Sequence, residues 1–344
     1  MSVTIKDVAK KANVSPSTVS RVISDSPRIS EKTKRHVRRV MEELGYHLNY
    51  NARVLVRQKT QTIGIVMKES ASRSLHDPFF PEVLRGISAF CNKTGYSIIL
   101  TTGESEKEIF DDVVKMVQGK RVDGMIVTYS KHDDRVIPYL LDSEFPFVLV
   151  GSPNDRTDDI IYVDNDNVKA AADATEYLLR LGHQRIGYIG GDLNYEVANA
   201  RFKGYQDVLR KHDIPFKEEY VVNPAGEFDM HEIVSDFMNL PEPPTSLVVT
   251  DDLVAMKVLQ VCHREGIRVP DDLSLISFNN ALIAQISSPP LTSVDTQVFQ
   301  LGHEAAKSLV EEITDPADYK KSIIIPTVIK KRESCRQLIS NKSV

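Results

Sequence analysis

Along the first part of the chain apolar residues recur every three or four positions, whereas from Thr62 onward they come in short unbroken runs. The two rhythms predict different architectures. In the first, Val19, Val22 and Ile23 share one face of a helix while Ser17, Arg21 and Ser24 share the other, because successive helical residues turn by about 100°. Thr4, followed three residues later by Asp7, predicts a helix from Ile5 to about Ala12: threonine accepts from orphan backbone amides, and the carboxylate sits in the electropositive first turn. Ser15 ahead of Pro16 predicts a second start, since serine caps well and proline needs no amide hydrogen at the first helical position. After the turn-like Asp25-Ser26-Pro27-Arg28, Ser30 caps a third helix in which Val37, Val40, Met41 and Leu44 recur until Gly45 stops it. The brief Asn13-Val14 link gives the first two helices the dimensions of a helix-turn-helix.

The second rhythm begins with Gly64-Ile65-Val66-Met67 and continues through Ser97-Ile98-Ile99-Leu100, Gly124-Met125-Ile126-Val127 and Phe147-Val148-Leu149-Val150. A further series follows in Arg185-Ile186-Gly187-Tyr188-Ile189, Glu219-Tyr220-Val221-Val222, Ser246-Leu247-Val248-Val249 and Leu273-Ser274-Leu275-Ile276. Helical periods separate these runs, so two β-α-β sets are predicted, each a parallel sheet with helices on both faces. The class is α/β. Ser322-Ile323-Ile324-Ile325 has no helix-strand unit after it and is expected to return to one of the earlier sheets.

Charge sharpens the division. Residues 1–60 carry thirteen Lys and Arg against five Asp and Glu, a net of +8; the whole chain is −5, leaving −13 for residues 61–344. The basic end, with Ser17 and Arg21 facing outward, points to a polyanionic partner, and double-stranded nucleic acid suits a helix of this size. Asn49 is placed to cap a short helix from Tyr50 to Arg57, in which Leu55 stands alone on a polar and basic segment. Such a helix is too short to hold in water alone and is expected to order only when something packs on it.

The 344 residues, 41% of them apolar, allow two or three domains and a large core. No run of eighteen apolar residues occurs and Met1-Ser2-Val3-Thr4-Ile5-Lys6 has no hydrophobic signal core, so a cytoplasmic protein is expected. Cys91, Cys262 and Cys335 are widely spaced and suit reduced thiols in or near a core. Enzyme motifs fail on inspection. His231-Glu232 and His303-Glu304 each lack the second histidine of a zinc-protease helix, and Asp164-Asn165-Asp166-Asn167 has Lys169 where a calcium loop needs glycine. No dinucleotide fingerprint, P-loop or nucleophile elbow is present. Neither catalysis nor a cofactor is expected.

Thr4-Ile5-Lys6-Asp7-Val8-Ala9, then Val14-Ser15 through Val22, then Gly45-Tyr46 and Asn49 with Ala52 and Leu55, resemble the headpiece and hinge of the lactose-repressor (LacI/GalR) family. The likeness continues through the body. It implies a homodimer that sets the second helix of each headpiece in the major groove of a pseudo-palindromic operator, with paired hinge helices in the central minor groove. By that likeness Pro16, Ser17 and Arg21 meet base edges, Arg21 being best suited to a guanine. Leu55 is the apolar wedge. Ser15, Thr18, Ser20 and Asn49 contact phosphates or position the helix, and Thr4 and Ala52 belong to the same DNA-binding set. Leu48 departs from the family's usual proline, and Tyr50 and Asn51 are unusual neighbours. The implied plan is a headpiece over residues 1–46, a hinge and linker over 47–60, and a core over 61–344 of two periplasmic-binding-protein-like lobes. The first lobe takes about 61–162 plus 293–323, the second about 163–292 plus 324–338, with crossings near Asp164, Pro289 to Asp295, and Pro326.

In open α/β lobes ligands settle beyond the carboxyl ends of the strands. The residues there include Asp77-Pro78-Phe79-Phe80, Thr128, Arg201, Phe228, Asp251-Asp252 and Asn279-Asn280. Aromatic faces with charged and bidentate hydrogen-bonding groups suit a sugar. The likeness implies that Phe80 and Phe228 stack on the effector, Arg201 clasps it, and Thr128, Asp251 and Asn279 offer polar contacts, Asn279 standing where most relatives carry Asp. For Asp252 the alternative to a place in the pocket is a cap on the helix that follows. Ser277-Phe278-Asn279-Asn280 and Ser288-Pro289-Pro290-Leu291-Thr292 are most similar to the maltose-operon repressors of Gram-positive bacteria. Maltose or a maltodextrin is the expected effector, another α-glucoside or a phosphorylated sugar the alternative, although only Arg201 is placed as a basic group in the pocket. A phosphoprotein co-repressor, as one branch of the family uses, is a further alternative. A solute-binding protein would explain the lobes but not the basic headpiece. With no terminal leucine heptads, a dimer is expected over a tetramer.

Overall fold

The computed structural model describes residues 3–46, 59–155, 157–226 and 228–338. The hinge expectations at Asn49, Ala52 and Leu55 lie outside these residues. The chain divides into two compact units, residues 1–61 and 62–344.

In the first unit the three helices start where their caps predict: α1 Ile5–Ala12, α2 Pro16–Ile23 and α3 Glu31–Glu43. The Ser15 hydroxyl accepts from the Thr18 amide at 3.1 Å, and the Ser30 hydroxyl from the Thr33 amide at 3.2 Å. At α1 the Asp7 carboxylate accepts from both the amide and the hydroxyl of Thr4, at 2.9 and 2.7 Å, so Asp7 fills the role that Glu or Gln plays elsewhere. Val8, Ala9 and Ala12 of α1 meet Val19 and Val22 of α2 and Val37 and Val40 of α3 in one small core. Asn13 turns the chain between α1 and α2 in a left-handed conformation (φ 53°), which asparagine tolerates better than most residues.

The second unit holds two six-stranded sheets. The first has the order β11-β5-β4-β3-β1-β2 and is parallel throughout. Its strands are β1 Thr62–Val66, β2 Ser97–Leu100, β3 Gly124–Val127, β4 Phe147–Val150, β5 Ile161–Asp164 and β11 Ser322–Ile324. The second, ordered β12-β10-β9-β8-β6-β7, is parallel except for the β10 and β12 pair. It comprises β6 Ile186–Ile189, β7 Val221–Val222, β8 Ser246–Val249, β9 Ser274–Phe278, β10 Thr292–Asp295 and β12 Val328–Lys330. The run at 219–222 is a strand only at its last two residues, Glu218–Tyr220 forming a 3-10 turn. The late strand β11 does return, pairing with β5.

The chain passes between the lobes three times, after Asp164, after Asp295 and after Ile325. The expected change of lobe at 292/293 falls inside β10, which lies whole in the second sheet because its buried Thr292 and Ser293 are held there by Ser334 and Asp252. Asn165 ties the passages together. Its amide nitrogen donates to the carbonyl oxygens of Thr296 at 3.1 Å and Ile325 at 2.8 Å.

Two helices far apart in sequence, Phe79–Thr94 and Val298–Thr314, pack closely in the first lobe. Glycines permit it: a Cβ at Gly86 would stand 2.1 Å from the Phe299 carbonyl oxygen, and one at Gly302 2.1 Å from that of Val83. Either is a collision with backbone.

Candidate functional site

The first unit presents a polar face. Ser15, Pro16, Ser17 and Arg21 are exposed, with Thr18 and Ser20 half-buried beside them, while Thr4 is exposed at the start of α1. Ser17 and Arg21, four apart on α2, project from one side of the helix as Val19 and Val22 anchor the other. The Ser15 hydroxyl lies 2.8 Å from that of Ser17 and 2.9 Å from that of Thr18, so the cap also orders its neighbours. Among the described residues no acidic side chain pairs with Arg21, leaving its guanidinium fork available.

The basic run on α3 is less free than its sequence implies. The Lys34 ammonium is nearly buried and lies 3.1 Å from Asp25 and 2.9 Å from Glu31, and Arg38 lies 2.7 Å from the same Asp25. The hydrogen bond from Lys34 lowers the Asp25 pKa, and hydrogen bonds first to Glu31 and then to Asp25 raise that of Lys34. These cations brace α3 against the turn after α2. Lys32 and Arg35 remain exposed.

In the second unit a cavity of about 190 Å³ lies between the lobes. Phe80, Thr128, Arg201, Asp251 and Asn279 all line it. Phe80 and Thr128 come from the first lobe, at the head of the helix Phe79–Thr94 and just after β3; Arg201, Asp251 and Asn279 come from the second. Phe228 does not line this cavity; it borders a wider space of about 860 Å³ at the cleft's outer side. Its ring lies 5.2 Å from the Lys257 ammonium.

Arg201 is held as a fixed tool. Nε donates to Asn167 Oδ1 at 3.0 Å, Nη1 donates to the Thr250 carbonyl at 2.7 Å, and the guanidinium lies 4.4 Å from the Phe278 ring centroid. Among the described residues Nη2 has no hydrogen-bond partner. Burial pulls its pKa down, opposed by nearby Asp251 and Asp164. Asn167 is itself held, donating to Asp164 Oδ1 at 3.0 Å.

The carboxylates divide between structure and cleft. Asp251 caps the helix Asp252–Glu265, accepting from the Val254 amide at 2.8 Å, so the cap considered for Asp252 belongs to its neighbour. Asp252 instead accepts from Ser277 at 2.5 Å, Ser293 at 2.8 Å and the Ala281 amide at 2.6 Å, binding three segments of the second lobe. Asp77 accepts from the Phe79 amide at 3.0 Å, and burial, then the neighbouring Asp251, push its carboxyl up to about 6. Burial raises Asp251 as well. Asn279 adopts a positive φ of 93° and accepts from Thr296 at 3.2 Å, so it serves the passage between the lobes as well as the cavity wall.

Lys68, Tyr195, Asp192, Asn165 and Asn167 also line the cavity and were not anticipated. The Lys68 ammonium lies 4.0 Å from the Tyr195 ring centroid, a contact between lobes. Lys68 is thus a second basic group beside Arg201. Asp77, Asp164, Asp192 and Asp251 outnumber the pair, so the cavity has no excess positive charge for a phosphate. Beside it the lobes touch through backbone: the His132 amide donates to the Asn194 carbonyl at 2.9 Å and the Glu196 amide to that of Ser130 at 3.1 Å. Among the described residues no cluster of three or more His, Cys, Asp or Glu is placed to hold a metal, and no helix is long and apolar enough to cross a membrane.

Comparison with known proteins accounts for both units. Residues 4–49 match the model of bacterial regulatory proteins of the lacI family, and residues 175–335 match a periplasmic binding protein-like domain. The HTH-type transcriptional regulator MalR of Staphylococcus xylosus is 37% identical over 335 residues, covering 96% of this chain and 98% of that protein. A solved structure described as transcriptional regulator LacI of Bacillus cereus subsp. cytotoxis is 46% identical with a TM-score of 0.78, covering 81% of this chain and 99% of the other. The transcriptional regulator CelR in complex with cellobiose is 28% identical with a TM-score of 0.73, covering 96% and 99%.

Proposed function

Since this chain belongs to the lacI family of bacterial regulatory proteins, we propose that it is a cytoplasmic homodimeric repressor of carbohydrate-utilisation genes, controlled by a maltose-like effector in the interlobe cleft. One observation carries the reading. The first unit offers an exposed, acid-free arginine four residues from an exposed serine on a capped helix, and the second encloses a polar cavity that pairs aromatic walls with a fixed guanidinium. An open arginine fork reads a guanine edge; an enclosed one grips hydroxyls. A solved structure that shares the MalR name is described as a maltose operon transcriptional repressor and CelR is seen with cellobiose, which favours a glucoside here. The surplus of carboxylates over cations in the cavity favours a neutral sugar over a phosphorylated one.

The cavity walls come from both lobes, so a bound sugar stabilises one lobe arrangement over another. Only that difference in affinity can move the DNA-binding equilibrium. A preference of about 1.4 kcal/mol changes operator affinity about tenfold. The test is fluorescence anisotropy of a labelled pseudo-palindromic operator titrated with the full chain, with and without maltose. Maltose is expected to move the midpoint by about tenfold or more; a midpoint unmoved by maltose, maltodextrin and other α-glucosides sinks the sugar control and leaves the DNA binding standing.

A further inference from the structure

We propose that a groove on the second lobe, between β7 and the helix Met230–Met238, docks a partner protein through an amphipathic helix whose apolar stripe is flanked on both sides by Lys or Arg.

The groove encloses about 600 Å³ and shares only Pro224 and Phe228 with the outer side of the cleft. Its floor is apolar. Val221 and Val222 of β7 and Leu240 lie half-buried along it, while Ile233 and Phe237, four apart on the helix, are buried beneath. β7 is the last strand of its sheet and bonds to β6 alone, so among the described residues no strand adjoins its outer edge.

Carboxylates stand on both rims. Glu218 and Glu219 are exposed on the strand side. Asp229, Glu232 and Asp236 are exposed on the helix side, at spacings of three and four that keep them in one row. Asp229 also caps the helix, accepting from the His231 amide at 2.8 Å. No Lys, Arg or His lines the groove, and among the described residues none of these carboxylates has an ion-pair partner. Glu242, outside the lining, does: it meets Lys217 at 2.9 Å.

Two rows of like charge across an apolar floor repel each other, and cations brought from outside relieve that repulsion. The rows are too spread to share one metal ion, since among the described residues no three such ligands are placed to hold one. A free polyamine would satisfy the rims and leave the floor to water. A helix with an apolar stripe between two basic rows satisfies floor and rims together. The rim charges also steer its approach.

Fluorescence anisotropy tests this with the full chain and a labelled synthetic helix of leucine and lysine, its leucines in one stripe and its lysines on both flanks. The peptide is expected to bind, and a counterpart of equal charge with every leucine replaced by serine to bind about tenfold more weakly or worse. Glu232→Lys with Asp236→Lys is expected to weaken the leucine peptide about tenfold or more; Glu218→Gln with Glu219→Gln, which leaves the helix untouched, about threefold or more. Asp315→Lys with Asp318→Lys makes the same charge change at exposed positions of the first lobe and is expected to hold affinity within about twofold. No binding of the leucine peptide, or an affinity unmoved in both rim variants, overturns the proposal. So does equal affinity for the serine peptide, equal weakening by the first-lobe variant, or displacement by spermine as effective as by unlabelled peptide, each of which reduces the groove to a charged surface.

Discussion

Arg21 and Arg201 are the same side chain in opposite circumstances. Arg21 stands exposed on α2 with no acidic partner among the described residues, whereas Arg201 is almost wholly buried and spends Nε and Nη1 on Asn167 and Thr250. The difference follows from what each must meet. A headpiece that docks onto DNA brings its donors to a partner already rich in acceptors, so the donors stay solvated until docking. A cleft that encloses a small ligand must hold its donors in place beforehand, because the ligand is too small to order them. The headpiece thus makes its internal bonds at caps and at the Asp25 clamp, and the core makes them on Arg201, the group proposed to hold the ligand.

Removing Arg201 is the hardest test of this contrast. Arg201→Ala is expected to lower sugar affinity about 100-fold and to destabilise the core by about 3 kcal/mol, since it leaves the buried Asn167 Oδ1 and the Thr250 carbonyl without their donor. Calorimetry and thermal melting read the two effects; a loss of affinity without a loss of stability would show that the arginine is not part of the core's framework. Arg21→Ala is expected to do the reverse, costing about 1–3 kcal/mol of operator binding with the melting temperature unchanged. A drop in melting temperature there would mean that Arg21 has a structural partner after all. Ser15→Ala should cost the headpiece about 1 kcal/mol, seen as faster amide exchange in α1 to α3 with sugar binding untouched.

The smallest effect concerns pH. Burial lifts the Asp77 carboxyl from 3.8 to about 6, so its contribution favours the fold below about pH 4 and is lost as pH rises toward 6. Asp77→Asn keeps the acceptor for the Phe79 amide and removes that dependence. Its melting temperature is expected to gain on the parent's across pH 4 to 6, the window between the ordinary carboxyl value and the raised one. A constant difference over that range would place Asp77 in ordinary solvent.

The headpiece was legible nearly residue by residue because its signals are local. Ser15-Pro16 and Ser30 mark helix starts through bonds made within three residues. The core was legible where strands are continuous and apolar. β5, β10 and β12 escaped notice, β10 because Thr292 and Ser293 look exposed in sequence, whereas the Thr292 hydroxyl accepts from the Arg332 amide, its own amide donates to the Ser334 hydroxyl, and the Ser293 hydroxyl donates to Asp252. The cleft residues were legible by their place after strands, yet Lys68 and Tyr195 meet across a boundary that no local pattern marks. Asn165 and Asn167 were visible as an Asp-Asn-Asp-Asn segment that fails as a calcium loop. Their amide nitrogens, and the Asn167 oxygen that accepts from Arg201, carry a structural role.

The packing of Phe79–Thr94 against Val298–Thr314 reaches beyond the cleft, into how the protein is made. The first lobe has its sheet core in place by Asp164, yet the helix that covers one face and the edge strand Ser322–Ile324 come only after all of the second lobe except its last strand, Val328–Lys330, and the segment that follows it. During translation the nascent first lobe waits, its Gly86 groove open, until nearly the last segment emerges from the ribosome. Chains cut short before Val298 are expected to expose that groove and to need chaperones, whereas a circularly permuted chain that starts near Val298 would let the first lobe finish at β5. The order of synthesis thus makes the stretch from Val298 to Ile324 the step that commits the first lobe to its fold.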